Sequence, residues 1–391
     1  MPKDLAELRQ RLDAIDEALI QALAQREAVS QEVARLKMGG KHALRDHARE
    51  AEILTTLIKR ARSAGLDATF VTRLYREIFD HSIRMQQDLM SHGESSAELQ
   101  QSAQVVAFQG SEGSYTHSAA MKHFGVRANS IVFEGYTTTD EVVEATLTGA
   151  ADFAVLPLES TMAGSFSDTY AVLEDRDLKI VGEEIQRLEH CLVTLDDIPI
   201  NRVRHIYSQP PAFDHCKRFL RTLKHVRLEA YPDTALAAQR VRNDEDLSQA
   251  AIASSEAAKL HGLYVLKRNI SDLADLYTRM IVVAQQPLKV DIGVPCKTSL
   301  SFTTKHVEGA LANCLAVLAE HGCNLTKIRS RPMPTAAWQY MFYVEFDGNI
   351  AEENVQSALT DMAGQTESLR ILGSYPARTV LEANPATPID G

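Results

Sequence analysis

The sequence lacks the features that mark secreted, membrane-spanning and metal-holding proteins. Its five cysteines are odd in number, lie far apart in 391 residues and include no CxxC pair. This pattern predicts reduced thiols of a cytoplasmic protein rather than a disulfide framework or a zinc site. No basic segment followed by an apolar run opens the chain, and no apolar stretch is long enough to span a bilayer. We therefore expect a cytoplasmic protein with no membrane partner and no metal.

Positive charge is also scarce. The 41 Lys and Arg residues are outnumbered by 52 Asp and Glu residues, which gives a net charge of −11. This excess argues against nonspecific binding to nucleic acid or membrane surfaces. The imbalance is uneven, because residues 1–90 carry a balance of +1 and the remainder carries −12. The N-terminal cations either bind small anions or belong to a helical surface that carries many charges of both signs.

The pattern of residues 1–90 predicts three helices. Apolar residues between positions 4 and 38 recur with gaps of four and three, and Arg26 interrupts this stripe. Two further helices are expected at 46–62 and after Gly65, with Asp67 as N-cap. A single Arg on an apolar stripe is commonly a structural ion pair or snorkels to solvent. Because all three helices carry polar groups beside their apolar faces, we predict a shared internal site instead.

The length of the first helix predicts an intertwined dimer. About 35 helical residues span about 50 Å, and 90 residues offer too few partners to cover that length. Its apolar seam is therefore expected to pack against the same helix of a second subunit.

Residues 4–90 resemble the all-helical class of chorismate mutase. The resemblance rests on eight scattered positions rather than on one short motif: Arg9, Arg26, Lys37, Asp46, Arg49, Glu50, Ser82 and Gln86. It implies that these residues bind the substrate, with arginines holding the two carboxylates of chorismate and Arg9 reaching in from the partner subunit. Lys37 and Gln86 would bond the ether oxygen, and Asp46 and Glu50 would face the ring hydroxyl or orient the cations. The implied catalytic residues are Lys37, Gln86, Arg26 and Glu50.

The chemistry of that family explains these residue types. Chorismate rearranges to prephenate in one pericyclic step, which needs neither a nucleophile nor a proton transfer. The protein has to hold a dianion in its compact conformer and stabilise charge that grows on the ether oxygen. Fixed cations and hydrogen-bond donors do both.

After a polar linker at 91–104, strand and helix patterns alternate and predict an α/β fold with a mostly parallel sheet. A strand at 105–108 leads through the turn 110–114 into a helix at 115–124, which makes an anion-receptive corner. The turn is neither GxGxxG nor a Walker loop, so nucleotide binding is not indicated. The segment 159–165 follows another strand directly. It is either a second wall of a site or an ordinary helix N-cap.

Residues 105–285 resemble prephenate dehydratase. The marks are the segments 110–120, 159–165, 182–183, 190–192 and 254–258 and the pair Thr278-Arg279. The resemblance implies a two-lobed α/β fold of the periplasmic-binding-protein type, with lobes at 105–184 plus 270–285 and at 185–269. Substrate would lie in the cleft, no cofactor would be needed, and Thr278 would be the key catalytic residue. The substrate-binding residues would be Ser114, Ser160, Thr161 and Arg279.

The implied reaction expels the ring hydroxyl as water and the ring carboxylate as carbon dioxide. A positioned Thr hydroxyl can donate or relay the proton that the departing hydroxyl needs, and Arg279 would hold a carboxylate. Ser160 and Met280 stand where the family usually has Asn and Phe. The choice between prephenate and its transaminated form arogenate stays open.

Residues 297–376 show the element order βαββαβ, which is ferredoxin-like. They hold no metal motif and no catalytic set, which indicates a binding module. The unit resembles the ACT domain that binds phenylalanine as a feedback inhibitor, and its two signatures are Gly309-Ala310-Leu311 and Ser330-Arg331-Pro332. Arg329 stands where the family normally has Glu. The tail 377–391 is predicted to be disordered.

The sequence as a whole therefore predicts a multidomain enzyme that makes phenylpyruvate from chorismate as a homodimer or higher oligomer under phenylalanine feedback. One alternative keeps the mutase but makes the altered dehydratase-like lobes an amino-acid sensor or an arogenate enzyme. A second alternative is a non-enzymatic adaptor with a helical dimerisation module. Products formed from chorismate separate the three.

Overall fold

The computed structural model describes residues 5–37, 47–92, 104–125, 131–162, 164–292, 294–305, 307–333 and 339–378. Asp46, most of the predicted linker and the tail from 379 onward lie outside these residues. The described chain forms a helical unit, two α/β lobes and a third unit with an antiparallel sheet.

The helical unit consists of α1 (Leu5–Lys37), α2 (His47–Ser63) and α3 (Ala68–His92). The carboxylate of Asp67 accepts a hydrogen bond from Phe70 N at 2.7 Å, which is the predicted N-cap of α3. α3 packs against both other helices. No other part of the described chain covers the seam of α1 in this way, since Leu12, Ile15 and Leu19 are 53–61% exposed.

The first lobe holds a mixed sheet, so the prediction of a mostly parallel sheet was wrong. Its strands are β1 (Gln104–Gln109), β2 (Ile131–Tyr136), β3 (Phe153–Ser160), β4 (Gly164–Ser165), β5 (Lys179–Arg187) and β11 (Tyr277–Ala284). Its helices are α4 (Tyr115–Phe124), α5 (Thr139–Leu147) and α6 (Ser167–Asp175). The order is β2-β1-β3-β11-β5. β1 pairs in parallel with β2 and β3, but the returning strand β11 runs antiparallel between β3 and β5.

The second lobe holds a five-stranded sheet of order β10-β6-β9-β7-β8. Its strands are β6 (Cys191–Thr194), β7 (His205–Ser208), β8 (Arg227–Ala230), β9 (Gln249–Ala253) and β10 (Tyr264–Lys267). Its helices are α7 (Pro210–His215), α8 (Lys217–Leu220), α9 (Thr234–Asp244) and α10 (Ser255–Leu260), and a 3-10 turn spans Ile200–Arg202. Two chain crossings join the lobes, and Leu188 N of one donates to Leu276 O of the other at 2.8 Å.

The third unit has the predicted element order βαββαβ. It consists of β12 (Cys296–Thr304), α11 (Ala310–Glu320), β13 (Asn324–Pro332), β14 (Tyr340–Asp347), α12 (Glu353–Gln365) and β15 (Thr366–Pro376). The sheet order is β13-β14-β12-β15, and all of its pairs are antiparallel.

The third unit shares a hydrophobic core with the first lobe. Tyr343, Leu372 and Tyr375 pack in one cluster with first-lobe residues such as Ile180. Gly373 makes this approach possible, because a Cβ added there would lie 2.1 Å from the carbonyl oxygen of Ile180. The two bodies are therefore packed as tightly as the interior of one domain.

All five cysteines are free, which agrees with the predicted reduced thiols, and the structure shows in addition that all five are buried. Burial raises the pKa of Cys191 to about 11 and that of Cys216 to about 12, which makes both thiols unreactive at neutral pH. Of the helices described, none combines the length and apolar content needed to cross a bilayer.

Candidate active sites

A cavity of about 560 Å³ lies between the two α/β lobes. The predicted residues Ser114, Ser160 and Thr278 line it from the first lobe. The second lobe contributes residues from the starts of α7 and α9 and the end of α7, namely Gln209, Pro211, His215, Asp233, Thr234 and Leu236. The structure thus brings three of the predicted polar groups to one cleft.

Thr278 and Ser160 are direct neighbours across the β3–β11 pair. Both are buried, at 4% and 7% exposure. The Thr278 hydroxyl makes no hydrogen bond to any residue of the described chain, although Met162 N donates to the Ser160 hydroxyl at 3.4 Å. The Thr278 hydroxyl therefore faces the cleft ready to bond a ligand.

The structure does not bring Arg279 into this cavity. Successive side chains of a strand point to opposite faces, so Thr278 and Met280 line the cleft while Arg279 points toward the third unit. The guanidinium donates to Glu183 at 2.6 Å, Glu159 at 2.9 Å and Glu345 at 2.6 Å, and to the Tyr375 hydroxyl at 3.1 Å. Its predicted role as a ligand of a substrate carboxylate does not fit this position, because its donors are already engaged.

Arg279 is the centre of a charge cluster with three cations and three carboxylates. Lys297 contacts Glu183 at 3.0 Å, and Lys327 contacts Glu159 at 2.5 Å. Burial alone would raise the pKa of Glu183, but Arg279 and Lys297 outweigh it and hold that pKa below its usual value. Burial would also raise the pKa of Glu159, but Lys327 and Arg279 outweigh it and lower that pKa. Glu183 and Glu159 are therefore ionised at neutral pH, and the cluster joins β3, β5 and β11 to the third unit.

Thr161 also lies outside the cavity lining. Its hydroxyl accepts a hydrogen bond from Tyr277 N at 3.1 Å, and its own N–H donates to Tyr277 O at 3.0 Å. This pairing fixes the loop after β3 against the start of β11. The predicted contact of Thr161 with substrate does not fit this position. Thr161 instead holds Tyr277, the residue directly before Thr278, and so helps to position Thr278.

The glycine-rich turn before α4 reaches across the cleft. The Asp233 carboxylate accepts from Ser111 N and from the Ser111 hydroxyl, both at 2.8 Å, and its other oxygen caps α9. Ser114 caps α4 by accepting from His117 N at 3.2 Å. The corner that the sequence predicted to receive an anion therefore already bonds a carboxylate, that of Asp233.

Sequence reasoning missed three residues at this cleft, Tyr115, His215 and Asp233. Tyr115 and His215 line the cavity from opposite lobes, and the buried His190 bonds both. The sequence held a signal for His190, which opens the 190–192 segment. Nothing local marks Asp233, because its partner Ser111 lies 122 residues away in the chain.

The helical unit brings Arg26, Ser82 and Gln86 together. Arg26 donates to the Ser82 hydroxyl and lies 5.6 Å from the centre of the Phe79 ring. Ser82 and Gln86 are one turn apart on α3 and are both buried. Gln86 Oε1 has no hydrogen-bond partner in the described chain. Burial lowers the pKa of Arg26, which places this cation in a partly desolvated pocket.

The other predicted mutase residues lie on α1, on α2 or outside the described part of the chain. Arg9 is exposed on α1, and Arg49 pairs with Glu52 at 2.5 Å on the surface of α2. Glu50 is half-buried. The Lys37 side chain and the whole of Asp46 lie outside the described residues.

The two predicted signatures of the third unit occupy adjacent elements. Gly309, with a φ of 75°, precedes α11, which begins with Ala310 and Leu311. Ser330, Arg331 and Pro332 end β13, which contacts α11. The Arg331 guanidinium lies 3.7 Å from Glu174 of α6, and Arg329 stacks 4.5 Å from the centre of the Tyr170 ring. The basic end of β13 therefore rests on the first lobe.

Family models match both catalytic parts of the chain. Chorismate mutase type II matches residues 8–87, and prephenate dehydratase matches residues 106–288. The bifunctional chorismate mutase/prephenate dehydratase of Enterobacter agglomerans is 33% identical over 97% of this chain and 98% of its own length.

Two solved structures are similar over the α/β lobes and the third unit. One, described as GqqA, a novel type of quorum quenching acylase, is 30% identical with a TM-score of 0.64 and covers 70% of this chain and 98% of its own. The other is prephenate dehydratase from Arthrobacter aurescens in complex with L-Phe, which is 26% identical with a TM-score of 0.64 and covers 70% and 90%. Since a full-length relative matches both parts in one polypeptide, the chain belongs to the family of bifunctional chorismate mutase/prephenate dehydratases.

Proposed function

We propose that this chain converts chorismate to prephenate in its helical unit and prephenate to phenylpyruvate, carbon dioxide and water in the interlobe cleft. The proposal rests on two groups in one chain. Half-buried Arg26 bonds the buried Ser82, one turn from the buried Gln86, and the cleft holds a Thr278 hydroxyl with no hydrogen bond to the described residues. We assign the mutase to 1–90, the dehydratase to 105–285 and regulation to 297–376.

The mutase step needs positioned cations and donors. Arg26 would hold a carboxylate of chorismate, because it is partly desolvated and fixed by Ser82 and Phe79. The buried Gln86 amide would donate from Nε2 to the ether oxygen, where negative charge grows as the bond breaks. We expect Lys37, Arg49, Asp46 and Glu50 to complete this pocket.

A second subunit would close the mutase pocket. The exposed apolar seam of α1 has the spacing of a helix–helix interface and no cover within its own chain. Arg9 lies on this helix and would enter the partner's pocket. Sedimentation of the purified chain as a monomer at micromolar concentration would contradict this part of the proposal.

The dehydratase step breaks two bonds together. The ring carboxylate leaves as carbon dioxide, its bonding electrons complete the aromatic ring, and the C–O bond to the ring hydroxyl breaks. Thr278 would donate a hydrogen bond to the departing oxygen, which leaves as water once solvent supplies the proton. Ser160, beside Thr278, and Ser114 would hold the remaining polar groups of the substrate.

The third unit would be an ACT domain that binds phenylalanine between the 309–311 and 330–332 segments. Its order βαββαβ and its contact with the catalytic lobe support this role. The Arg279 cluster gives a direct link, since Glu345 of the third unit and Thr278 of the cleft are separated by Arg279 alone. The five unpaired thiols suit a reducing compartment such as the cytoplasm.

The test is to feed chorismate to the purified full-length chain and to follow prephenate and phenylpyruvate separately. Prephenate and arogenate are then supplied directly, with and without phenylalanine. Formation of phenylpyruvate from prephenate, reduced by phenylalanine, supports the full proposal. Prephenate that accumulates without phenylpyruvate would contradict the dehydratase part, and a flat phenylalanine titration to millimolar concentration would contradict the feedback.

A further inference from the structure

A chain of three aromatic side chains runs behind the interlobe cavity. Tyr115 Oη lies 3.0 Å from His190 Nδ1, and His190 Nε2 lies 3.1 Å from His215 Nδ1. All three residues are buried, at 7%, 1% and 5% exposure, and the two imidazoles stack at 25°. Tyr115 and His215 line the cavity from different lobes. Nothing in the reaction scheme above uses this chain.

The hydrogens of this chain can be assigned by counting donors. The Tyr115 hydroxyl also lies 3.0 Å from the Glu189 carbonyl oxygen, which can only accept. The single hydroxyl hydrogen therefore goes to Glu189, and His190 Nδ1 has to carry a hydrogen for its bond to Tyr115. Burial lowers the pKa of His190 to about 3, so this ring is neutral and its Nε2 is an acceptor. That acceptor requires a hydrogen on Nδ1 of His215.

The same counting fixes the atom that faces the substrate. Burial also lowers the pKa of His215, although Asp214 and Asp272 oppose the shift, so this ring too carries one hydrogen at neutral pH. With that hydrogen on Nδ1, the nitrogen left for the cavity is an unprotonated Nε2. Nε2 makes no hydrogen bond in the described chain. In this series of hydrogen bonds, His215 donates to His190, His190 donates to Tyr115, and Tyr115 donates to the Glu189 carbonyl.

We propose that His215 binds the substrate of the dehydratase through Nε2, which accepts the hydrogen of the ring hydroxyl, and that His190 and Tyr115 are positioning residues that hold this tautomer. The proposal rests on the dehydratase function proposed above. Prephenate at neutral pH has ionised carboxylates and a ketone, so its ring hydroxyl is its one O–H donor. The unprotonated Nε2 of His215 is an acceptor in the cavity that matches that donor.

This contact would orient the leaving group. With its hydrogen held by His215, the ring oxygen turns its lone pairs away from the second lobe and toward Thr278 of the first lobe. Thr278 then donates to the atom that departs. The two lobes would each contribute one hydrogen bond to the same oxygen, so the reactive geometry forms only when the cleft is closed.

Three variants of the full-length enzyme test the proposal. His215→Phe keeps a ring but removes the acceptor, and we expect kcat/KM for prephenate to fall about 10-fold or more. His215→Gln should retain most of the activity, because an amide can donate to His190 through its nitrogen and present its oxygen to the cavity. Tyr115→Phe removes the hydroxyl that fixes the His190 tautomer and should lower kcat with little change in mutase activity. His205→Phe and Tyr264→Phe, which lie outside the cavity, are matched controls.

The tautomer is measured independently of activity. Nitrogen-15 NMR of the enzyme labelled at histidine, assigned with the His215 and His190 variants, should show an unprotonated Nε2 on His215 at pH 7. Addition of prephenate should shift this resonance toward the hydrogen-bonded value, and Tyr115→Phe should shift protons between the two rings. A protonated Nε2 in the free wild-type enzyme would overturn the proposal, as would a His215→Phe variant with wild-type kcat/KM. A wild-type enzyme without phenylpyruvate formation would instead refute the dehydratase function, whatever the tautomer.

Discussion

Thr278 and Arg279 are consecutive residues of β11, yet their side chains serve opposite faces of the first sheet. Thr278 faces the interlobe cavity, and Arg279 bonds Glu345 of the third unit at 2.6 Å. Alternation along a strand explains the division. A movement of the third unit relative to the first lobe therefore acts on the residue directly beside Thr278, the proposed hydrogen-bond donor to the departing oxygen.

The first prediction concerns the hydroxyl of Thr278. Thr278→Ala should lower phenylpyruvate formation about 100-fold or more, because the departing oxygen loses its donor. Prephenate formation from chorismate should stay unchanged. Thr278→Ser keeps a hydroxyl and should recover part of the rate. Thr148→Ala, at an exposed position directly after α5, serves as control. Equal loss in the Ala and Ser variants would show that the methyl group or packing matters rather than the hydroxyl.

The second prediction concerns the Arg279 cluster. Arg279→Met leaves Glu345 buried without its cation and Glu183 with Lys297 alone, and removal of one partner from a buried ion pair costs about 3–5 kcal/mol. Chemical unfolding should report this loss, and proteolysis should cut between the first lobe and the third unit sooner than in the wild type.

The same variant should blunt the response of the dehydratase to phenylalanine while leaving the mutase rate unchanged. Arg227→Met is the control, since this Arg is 77% exposed and its nearest carboxylate lies at 3.8 Å. Wild-type stability together with wild-type feedback in Arg279→Met would contradict the role given to the cluster.

The third prediction is a loss of stability in acid. Glu183 and Glu159 have pKa values below their usual range in the folded chain, so they bind protons less readily than in the unfolded chain. Their contribution is complete above the unfolded-state pKa of about 4.3 and disappears as the pH falls through the folded values. The free energy of unfolding should therefore fall steeply below about pH 4.3. Glu159→Gln should flatten this dependence, whereas the exposed Glu367→Gln should not.

The fourth prediction concerns the helical pocket. Arg26→Ala should lower mutase kcat/KM about 100- to 1000-fold, by analogy with the loss of one donor to a developing charge. Lys37→Ala should have a similar effect. Both variants should convert supplied prephenate at the wild-type rate. Arg35→Ala, at an exposed position of the same helix, is the control, and near-normal mutase turnover in Arg26→Ala would refute the assignment.

The sequence was most informative where the signal is local. The stripe of α1, the Asp67 cap and the βαββαβ order all depend on residues close together in the chain, and the structure confirms them. Strand alternation was also available for Thr278 and Arg279, and applying it would have placed Arg279 away from the cleft. The antiparallel return of β11 was not visible, because strand direction depends on where a segment rejoins a sheet over a hundred residues later.

The cleft residues show the same limit. Asp233 and Ser111 belong to different lobes and meet only where the lobes pack together. His215 belongs to no periodic pattern or motif that the sequence analysis used. Its proposed role follows from its contact with the buried His190. Contacts of this kind are set by tertiary packing, which the residue pattern of a single sequence does not show.

The bond between Ser111 and Asp233 has a further consequence for how the cleft exchanges its contents. Because that amide carries a single hydrogen, a carboxylate that bonds Ser111 N has to replace the Asp233 carboxylate. The same carboxylate joins the two lobes at this point. An anion bound at the Ser111 amide and this contact between the lobes therefore exclude each other.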